Sequence, residues 1–308
     1  EHGIDLASVE GTGAQGRVTR RDVERAMAVG STSSAAASAP PQAPAEPAAA
    51  PPEPAAAPPR PSAPAPSPTP VSQPATAAGD EERALTPMRR AIADHMSRAR
   101  SDIPDAWSLT EIDMTRLVRH RERLQADWQA REGYELTYLP FFIKAVLAGL
   151  RAVPELNATW QGDHLTIHRE YHLGIAVSIE AGLVVPVLRQ ADQLSVAGIA
   201  RALREIVHKA RGGRLGADDL QGATFTVNNP GSLGSIMSQP IVPLGQAGIV
   251  TMEAIVKRPV VTADDAIAVR SMMNSCLSFD HRVLDGAGAL RFLKELKHQL
   301  EDVEYPLY

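Results

Sequence analysis

His281 and Asp285 stand four residues apart in the stretch Ser275 to Gly288. An imidazole can take and return a proton near neutral pH, and a nearby carboxylate can support it. Leu277 and Phe279 alternate with Cys276 and Ser278, which is the pattern of a strand end. Gly286 and Gly288 break that pattern, as glycines do in a tight connection. Ala289, Phe292, Leu293, Leu296 and Leu300 then recur at helical spacing and predict a closing amphipathic helix. The histidine is therefore presented where a strand gives way to a helix, a rigid mount for a general base. A lone His-x-x-x-Asp pair carries little, since most such pairs are surface residues. No second His or Cys stands at metal-ligand spacing near His281, which argues against a zinc site.

The rest of the chain bounds what such a base could serve. Its 308 residues allow one or two domains. The formal charge of −5 implies no general affinity for nucleic acid. The single cysteine, Cys276, rules out an internal disulfide framework and fits a reducing, cytoplasmic setting. Phe141 to Val153 is apolar but short and holds Lys144, so it reads as a buried helix, not a membrane span. No secretory signal is visible, and because Glu1 is not a natural start, upstream residues are expected to have been removed.

Three segments follow from composition. Residues 1–29 form a small module, in which Thr19 caps a short helix beginning at Arg20. Gly11, Gly13 and Gly16 match G-x-G-x-x-G, but a dinucleotide site needs a strand before the motif and a βαβ unit around it. A proline-rich tract follows instead. Residues 30–80 are a linker: between Ser31 and Asp80, 32 of 50 residues are Ala or Pro, and Val71 is the one large aliphatic residue. Such a tract cannot bury enough apolar surface to fold, and its prolines stiffen it. Fully extended at about 3.1 Å per residue it reaches roughly 150 Å.

Residues 81–308 are long enough to bury a core that positions His281. Thr86 and Pro87 open a helix through Met88, Ile92 and Met96. Trp107 to Asp113 alternates as a strand. Met114 to Arg131 reads as a charged helix and Leu139 to Val153 as a buried one. Strands are expected at 156–160, 165–167, 172–178 and 183–188, the last with Pro186 at an edge or bulge. Leu194 to Arg211 reads as a helix. Thr224 to Gly231 is a strand running into a turn, and Ala247 to Lys257 and Ala266 to Phe279 complete a mixed sheet. The elements alternate without a clean βαβ repeat, which predicts an α/β sandwich.

The stretch Asp280-His281-Arg282-x-x-Asp285-Gly286 resembles the active-site signature of the dihydrolipoamide acyltransferases, the core subunits of 2-oxo acid dehydrogenase complexes. The resemblance covers nearly the whole chain. Gly3 to Leu6, Gly11 to Gly13 and Gly16 to Thr19 are similar to that family's peripheral-subunit-binding domain, with the domain's first helix missing. It implies a basic face at Arg17, Arg20 and Arg21 that docks the 2-oxo acid dehydrogenase and dihydrolipoamide dehydrogenase subunits. It also implies the sandwich fold of chloramphenicol acetyltransferase, and homotrimers that assemble into larger cores with active sites between subunits. The reaction implied is acyl transfer between coenzyme A and a dihydrolipoyl group, carried on a domain absent from this chain.

The resemblance assigns roles to residues. His281 is the base that removes a thiol proton. Asp285 either orients the imidazole or pins the loop through an arginine, Arg90 or Arg282, and the chloramphenicol acetyltransferase likeness favours the arginine. Attack on a thioester creates an oxyanion, which needs a donor. The family places a Ser or Thr after Thr-Phe-Thr-Val/Ile, and here Asn228 holds that position, with an amide that can donate. Arg121, Thr137, Ser178, Asn229 and Ser232 fall at coenzyme-contacting positions. The segments 103–107, 226–231 and 255–260 resemble bacterial branched-chain members, with Asp105 where a histidine is expected. A branched-chain acyl group is therefore expected over acetyl or succinyl. A free-standing acetyltransferase needs neither docking module nor linker, and a non-catalytic scaffold has no need of His281 and Asp285.

Overall fold

The computed structural model describes residues 79–180 and 182–308, so the expectations for the N-terminal module and most of the linker lie outside the described residues. The chain divides into two units, Glu1–Thr76 and Ala77–Tyr308, and the described residues all belong to the second.

The second unit opens with α1 (Pro87–Asp102), capped as expected: Thr86 Oγ1 accepts the Arg89 N–H at 3.2 Å. β1 (Asp105–Asp113) leads into α2 (Thr115–Glu132), whose left-handed Gly133 ends the helix at φ 76°. The buried helix is α3 (Leu139–Ala152). Short strands follow: β2 (Ala158–Trp160), β3 (Leu165–Ile167), β4 (Leu173–Ile175), β5 (Val177–Ile179), β6 (Gly182–Val184) and β7 (Val187–Leu188). Then come α4 (Val196–Arg211), β8 (Phe225–Asn228), β9 (Gly248–Thr251), β10 (Val256–Val261), β11 (Ile267–Asp280) and α5 (Gly286–Glu301).

Seven strands make one mixed sheet in the order β1-β11-β9-β8-β4-β7, with β10 also paired to β11. β9 runs parallel to β8 and antiparallel to β11. This is the α/β architecture with a mixed sheet expected from the sequence. Three expected strands are each divided, the segment 172–178 breaking after Ile175 into β4, in the main sheet, and β5, in a separate ribbon. The segment 183–188 splits at Pro186, which cannot donate to a ladder. β6 pairs with β5 in a separate ribbon, and β7 forms the sheet edge beside β4. The segment 247–257 also splits: β9 ends at Thr251, and β10 begins a ribbon with β11 at Val256.

The core is built from helices laid on this sheet. Phe141, Phe142, Phe225, Phe279 and Phe292 are each at most 1% exposed. On α5, Ala289, Phe292, Leu293, Leu296 and Leu300 are likewise buried. Fully burying a side chain of this kind stabilises by roughly 1.5–3 kcal/mol, so the α5 stripe fixes the helix that follows His281. α3 meets α5 so closely at Gly149 that an added Cβ would lie 2.7 Å from the Phe292 ring. Among the described residues no helix is long and apolar enough to cross a membrane.

Candidate active site

β11 is the long antiparallel partner of β1, and their ladder runs from Asp105↔Asp280 to Asp113↔Met272. His281 follows directly. Its backbone N–H donates to the Pro104 carbonyl at 3.0 Å, so the residue is pinned to the start of β1. The side chain is exposed, and its ring centroid lies 5.7 Å from that of Phe279. No hydrogen bond engages the imidazole among the described residues. It is rigidly mounted and chemically uncommitted, as a base awaiting a substrate proton must be.

Asp285 takes neither of the partners expected for it. Its carboxylate accepts the Gly288 N–H at 2.8 Å and caps α5. Arg282 is held by Asp280, with nitrogen–oxygen distances of 2.9 and 2.7 Å. Asp280 is 1% exposed, so this charge pair is fixed beneath the loop. The Arg282 guanidinium also lies over the Trp160 ring, 5.3 Å from its centroid. The signature thus builds its own platform: Asp280 grips Arg282, Asp285 starts the helix, and His281 stands between them. The pairing with Asp280 holds the Arg282 guanidinium above its usual range, firmly charged.

Asn228 ends β8, beside Thr251 in the parallel ladder with β9. Its carbonyl accepts the Met252 N–H at 2.8 Å, and its amide has no hydrogen-bond partner among the described residues. Register separates it from His281. Gly248 of β9 faces Phe279, and β9 then runs toward Thr251, level with Cys276. His281 therefore lies five residues from that level, or roughly 16 Å at about 3.3 Å per residue. It also lies two strands away. Within one chain, His281 and Asn228 occupy opposite ends of the sheet.

Three of the five expected coenzyme residues gather around α4. Thr137 and Asn229 line one cleft of about 390 Å³ with Tyr134, Leu139, Arg204 and Arg211. Ser178 lines an adjoining cleft that shares Arg211. Ser232 serves its own turn: its N–H donates to Asn229 Oδ1 at 3.2 Å, and its hydroxyl to the Asn229 carbonyl at 2.9 Å. Arg121 is turned inward. Its Nε donates to the Leu136 carbonyl at 2.6 Å, it pairs with Glu135, and it lies 5.3 Å from the Tyr138 ring centroid. It holds the loop that presents Thr137.

The cations that line this cleft are Arg204 and Arg211, neither of which the family signature singles out. Arg204 stacks on Tyr134 with its guanidinium 4.1 Å from the ring centroid, and Arg211 borders both clefts. Arg201, Arg204, His208 and Arg211 recur three or four apart, so one basic face of α4 was legible as periodicity. Cys276 is no rival nucleophile: it is fully buried, and burial pushes its thiol up. The described residues contain no group of His, Cys, Asp and Glu that could hold a metal ion.

Comparison with known proteins bears directly on this arrangement. Residues 77–307 match the family model of the 2-oxoacid dehydrogenases acyltransferase catalytic domain, and residues 1–24 match that of the E3 binding domain. The chain is 44% identical over 311 residues to the lipoamide acyltransferase component of the branched-chain alpha-keto acid dehydrogenase complex of Bacillus subtilis. That match covers 99% of this chain and 69% of the relative. A Mycobacterium bovis acetyltransferase component of pyruvate dehydrogenase complex is 46% identical over 62% of this chain and 36% of its own length. Among solved structures, a probable dihydrolipoamide acetyltransferase from Listeria monocytogenes matches at 46% identity and TM-score 0.73, covering 75% of this chain and all of that one. A dihydrolipoamide acetyltransferase from Azotobacter vinelandii, studied for the role of a serine, a histidine and an asparagine in catalysis, matches at 32% identity and TM-score 0.70. It covers 75% of this chain and 98% of its own. The cubic core of a pyruvate dehydrogenase multienzyme complex matches equally well. The chain belongs to the 2-oxoacid dehydrogenase acyltransferase family, and carries the catalytic domain that forms the acyltransferase core of a 2-oxo acid dehydrogenase complex.

Proposed function

We propose that the chain transfers a branched-chain acyl group between dihydrolipoamide and coenzyme A, with His281 as general base and Asn228 of a neighbouring copy as oxyanion donor. The observation that carries this reading is the mounting of His281, fixed through its backbone, exposed, and with an unengaged imidazole. The Azotobacter structure addresses a histidine and an asparagine four positions apart, the spacing of His281 and Asp285. The separation of His281 from Asn228 supports a site assembled between copies. The likeness to a subunit of a cubic core supports assembly through homotrimers.

The chemistry follows from these groups. A thiol with a pKa of about 8.5 is mostly protonated at neutral pH, while its thiolate is the stronger nucleophile. Neutral His281 takes the thiol proton as sulfur attacks the thioester carbonyl. The new carbon–sulfur bond leaves a tetrahedral oxyanion, which the Asn228 amide stabilises by donating a hydrogen bond. When the intermediate collapses, the other carbon–sulfur bond breaks and the leaving thiolate recovers the proton from the imidazolium. The α4 cleft, with Thr137, Asn229, Arg204 and Arg211, suits the anionic end of coenzyme A.

Residues 1–24 would dock the dihydrolipoamide dehydrogenase and 2-oxo acid dehydrogenase subunits, with the acyl group arriving on a separate lipoyl domain. The branched-chain preference rests on the identity to the Bacillus protein across 99% of this chain. The reading is tested by transfer from isobutyryl-coenzyme A to free dihydrolipoamide. His281→Ala should lower turnover by about 10²–10⁴ while the assembly keeps its size. A variant that keeps most of its turnover would overturn the assignment.

A further inference from the structure

Glu253 is a carboxylate 1% exposed, for which acyl transfer by His281 and Asn228 has no use. Its Oε1 accepts two hydroxyl hydrogen bonds, from Thr251 at 2.7 Å and from Ser238 at 2.5 Å. Its Oε2 is buried and has no hydrogen-bond partner among the described residues. Burying a charged or polar group with an oxygen left unpaired opposes stability. Such a group contributes geometry instead, and its contacts show which geometry.

Thr251, fully buried, is the ladder neighbour of Asn228. While its hydroxyl donates to Glu253, it accepts the Cys276 N–H at 3.2 Å, so the carboxylate orients a hydroxyl that ties β9 to β11. The next residue, Met252, donates its N–H to the Asn228 carbonyl, and its own carbonyl accepts the Gly231 N–H at 3.1 Å. Gly231 lies directly on Glu253: an added Cβ would come within 2.2 Å of the Glu253 carbonyl carbon. Beyond it, Ala254 donates to the Ser235 carbonyl at 2.7 Å, and Asn274 Nδ2 to the Ile236 carbonyl at 2.8 Å. The Ser238 bond closes the segment that began at Asn228. The chain from Asn228 to Ser238 is thus laced onto the turn Met252–Ala254, with the Glu253 side chain at its far end.

We propose that Glu253 is a positioning residue, which fixes the aim of the Asn228 amide by clamping Thr251 on one side and the Ser238 loop on the other. The proposal rests on Asn228 being the oxyanion donor. Removing the clamp leaves Thr137, Arg204 and Arg211 of the coenzyme cleft in place and costs turnover more than affinity, because a small misplacement of a donor weakens it most in the transition state.

The test is a cycle in the full chain: Glu253→Ala and Glu253→Gln, each alone and combined with Asn228→Ala, read as kcat and KM. Glu253→Ala should lower kcat on the order of 10-fold to 100-fold with KM nearly unchanged. Glu253→Gln keeps an oxygen that accepts both hydroxyls and should restore most of the turnover. Against an Asn228→Ala background, Glu253→Ala should cost little more, because both act through one donor. Full kcat in Glu253→Ala, or an equal loss in both backgrounds, would overturn the proposal and leave the Asn228 reading standing. Full kcat in Asn228→Ala alone would remove that reading and this one with it. If Glu253→Ala does not assemble, Ser238→Ala removes one clamped hydroxyl without stranding the charge. It should show a smaller loss confined to kcat, and no loss would again overturn the proposal.

Discussion

Replacing Asp285 separates a structural carboxylate from a catalytic one. Its oxygen accepts the Gly288 N–H at the first turn of α5, which is a helix cap. Loss of such a cap costs about 1 kcal/mol, and loss of a negative charge at a helix N-terminus roughly 0.3–1 kcal/mol more. For a domain of this size each kcal/mol lowers the melting temperature by about 2–4 °C, so Asp285→Ala should fall by roughly 3–8 °C. Asp285→Asn keeps an accepting oxygen and loses the charge, so it should fall by only about 1–4 °C. Turnover in both should stay within about tenfold of the parent, since the imidazole makes no contact with this carboxylate. Were Asp285 instead the group that holds the imidazole tautomer, the Asn variant would lose about 10⁴ in kcat. The assay is scanning calorimetry at matched protein concentration beside isobutyryl transfer. An Asn variant with unchanged melting temperature and turnover down by 10³ or more would refute the capping account.

Other consequences are equally direct. Asn228→Ala should lower kcat by about 10²–10³ with little change in KM for coenzyme A, and Asn228→Ser should keep substantial activity. Wild-type turnover in the Ala variant would place the donor elsewhere. Arg204→Ala and Arg211→Ala should raise KM for coenzyme A more than they lower kcat, because they touch substrate far from the reacting sulfur; a change confined to kcat would contradict that. Isobutyryl-coenzyme A should give a higher kcat/KM than acetyl- or succinyl-coenzyme A, by no more than about 10–200-fold given what a few methylenes are worth in a pocket. An acetyl rate tenfold or more above isobutyryl would reverse the choice of complex.

The sequence was most informative where structure is local. The strand end at Phe279, the glycines after Asp285 and the apolar stripe from Ala289 to Leu300 lie within one short stretch, and periodicity sufficed to read them. Pro186 announced an edge, and β7 is one. The capping role of Asp285 was also present locally, as an acidic residue three positions before Gly288 at a helix start. What stayed hidden was register. Nothing local says that β9 stops at Thr251 and that β10 is a new strand, because the break is set by Asn228, Asn274 and Ser235 bonding to Met252–Ala254. The distance between Asn228 and His281 depends on three strands pairing in order, and so does the clamp at Glu253. Arg121 was placed at a coenzyme-contacting position by family resemblance, which says nothing of the bonds its side chain makes to Leu136 and Glu135.

The central claim is that the active centre joins His281 of one copy to Asn228 of the next. It is tested by co-expressing His281→Ala and Asn228→Ala chains in equal amounts under different tags, and assaying particles that carry both. In a closed trimer that holds both kinds of chain, one site of the three draws an intact residue from each of its two copies, and averaged over randomly filled trimers about a quarter of the sites regain both. The mixed particles should therefore show about a quarter to a third of the parent kcat, far above either variant alone. Mixed particles no more active than the two parental variants would contradict the shared site.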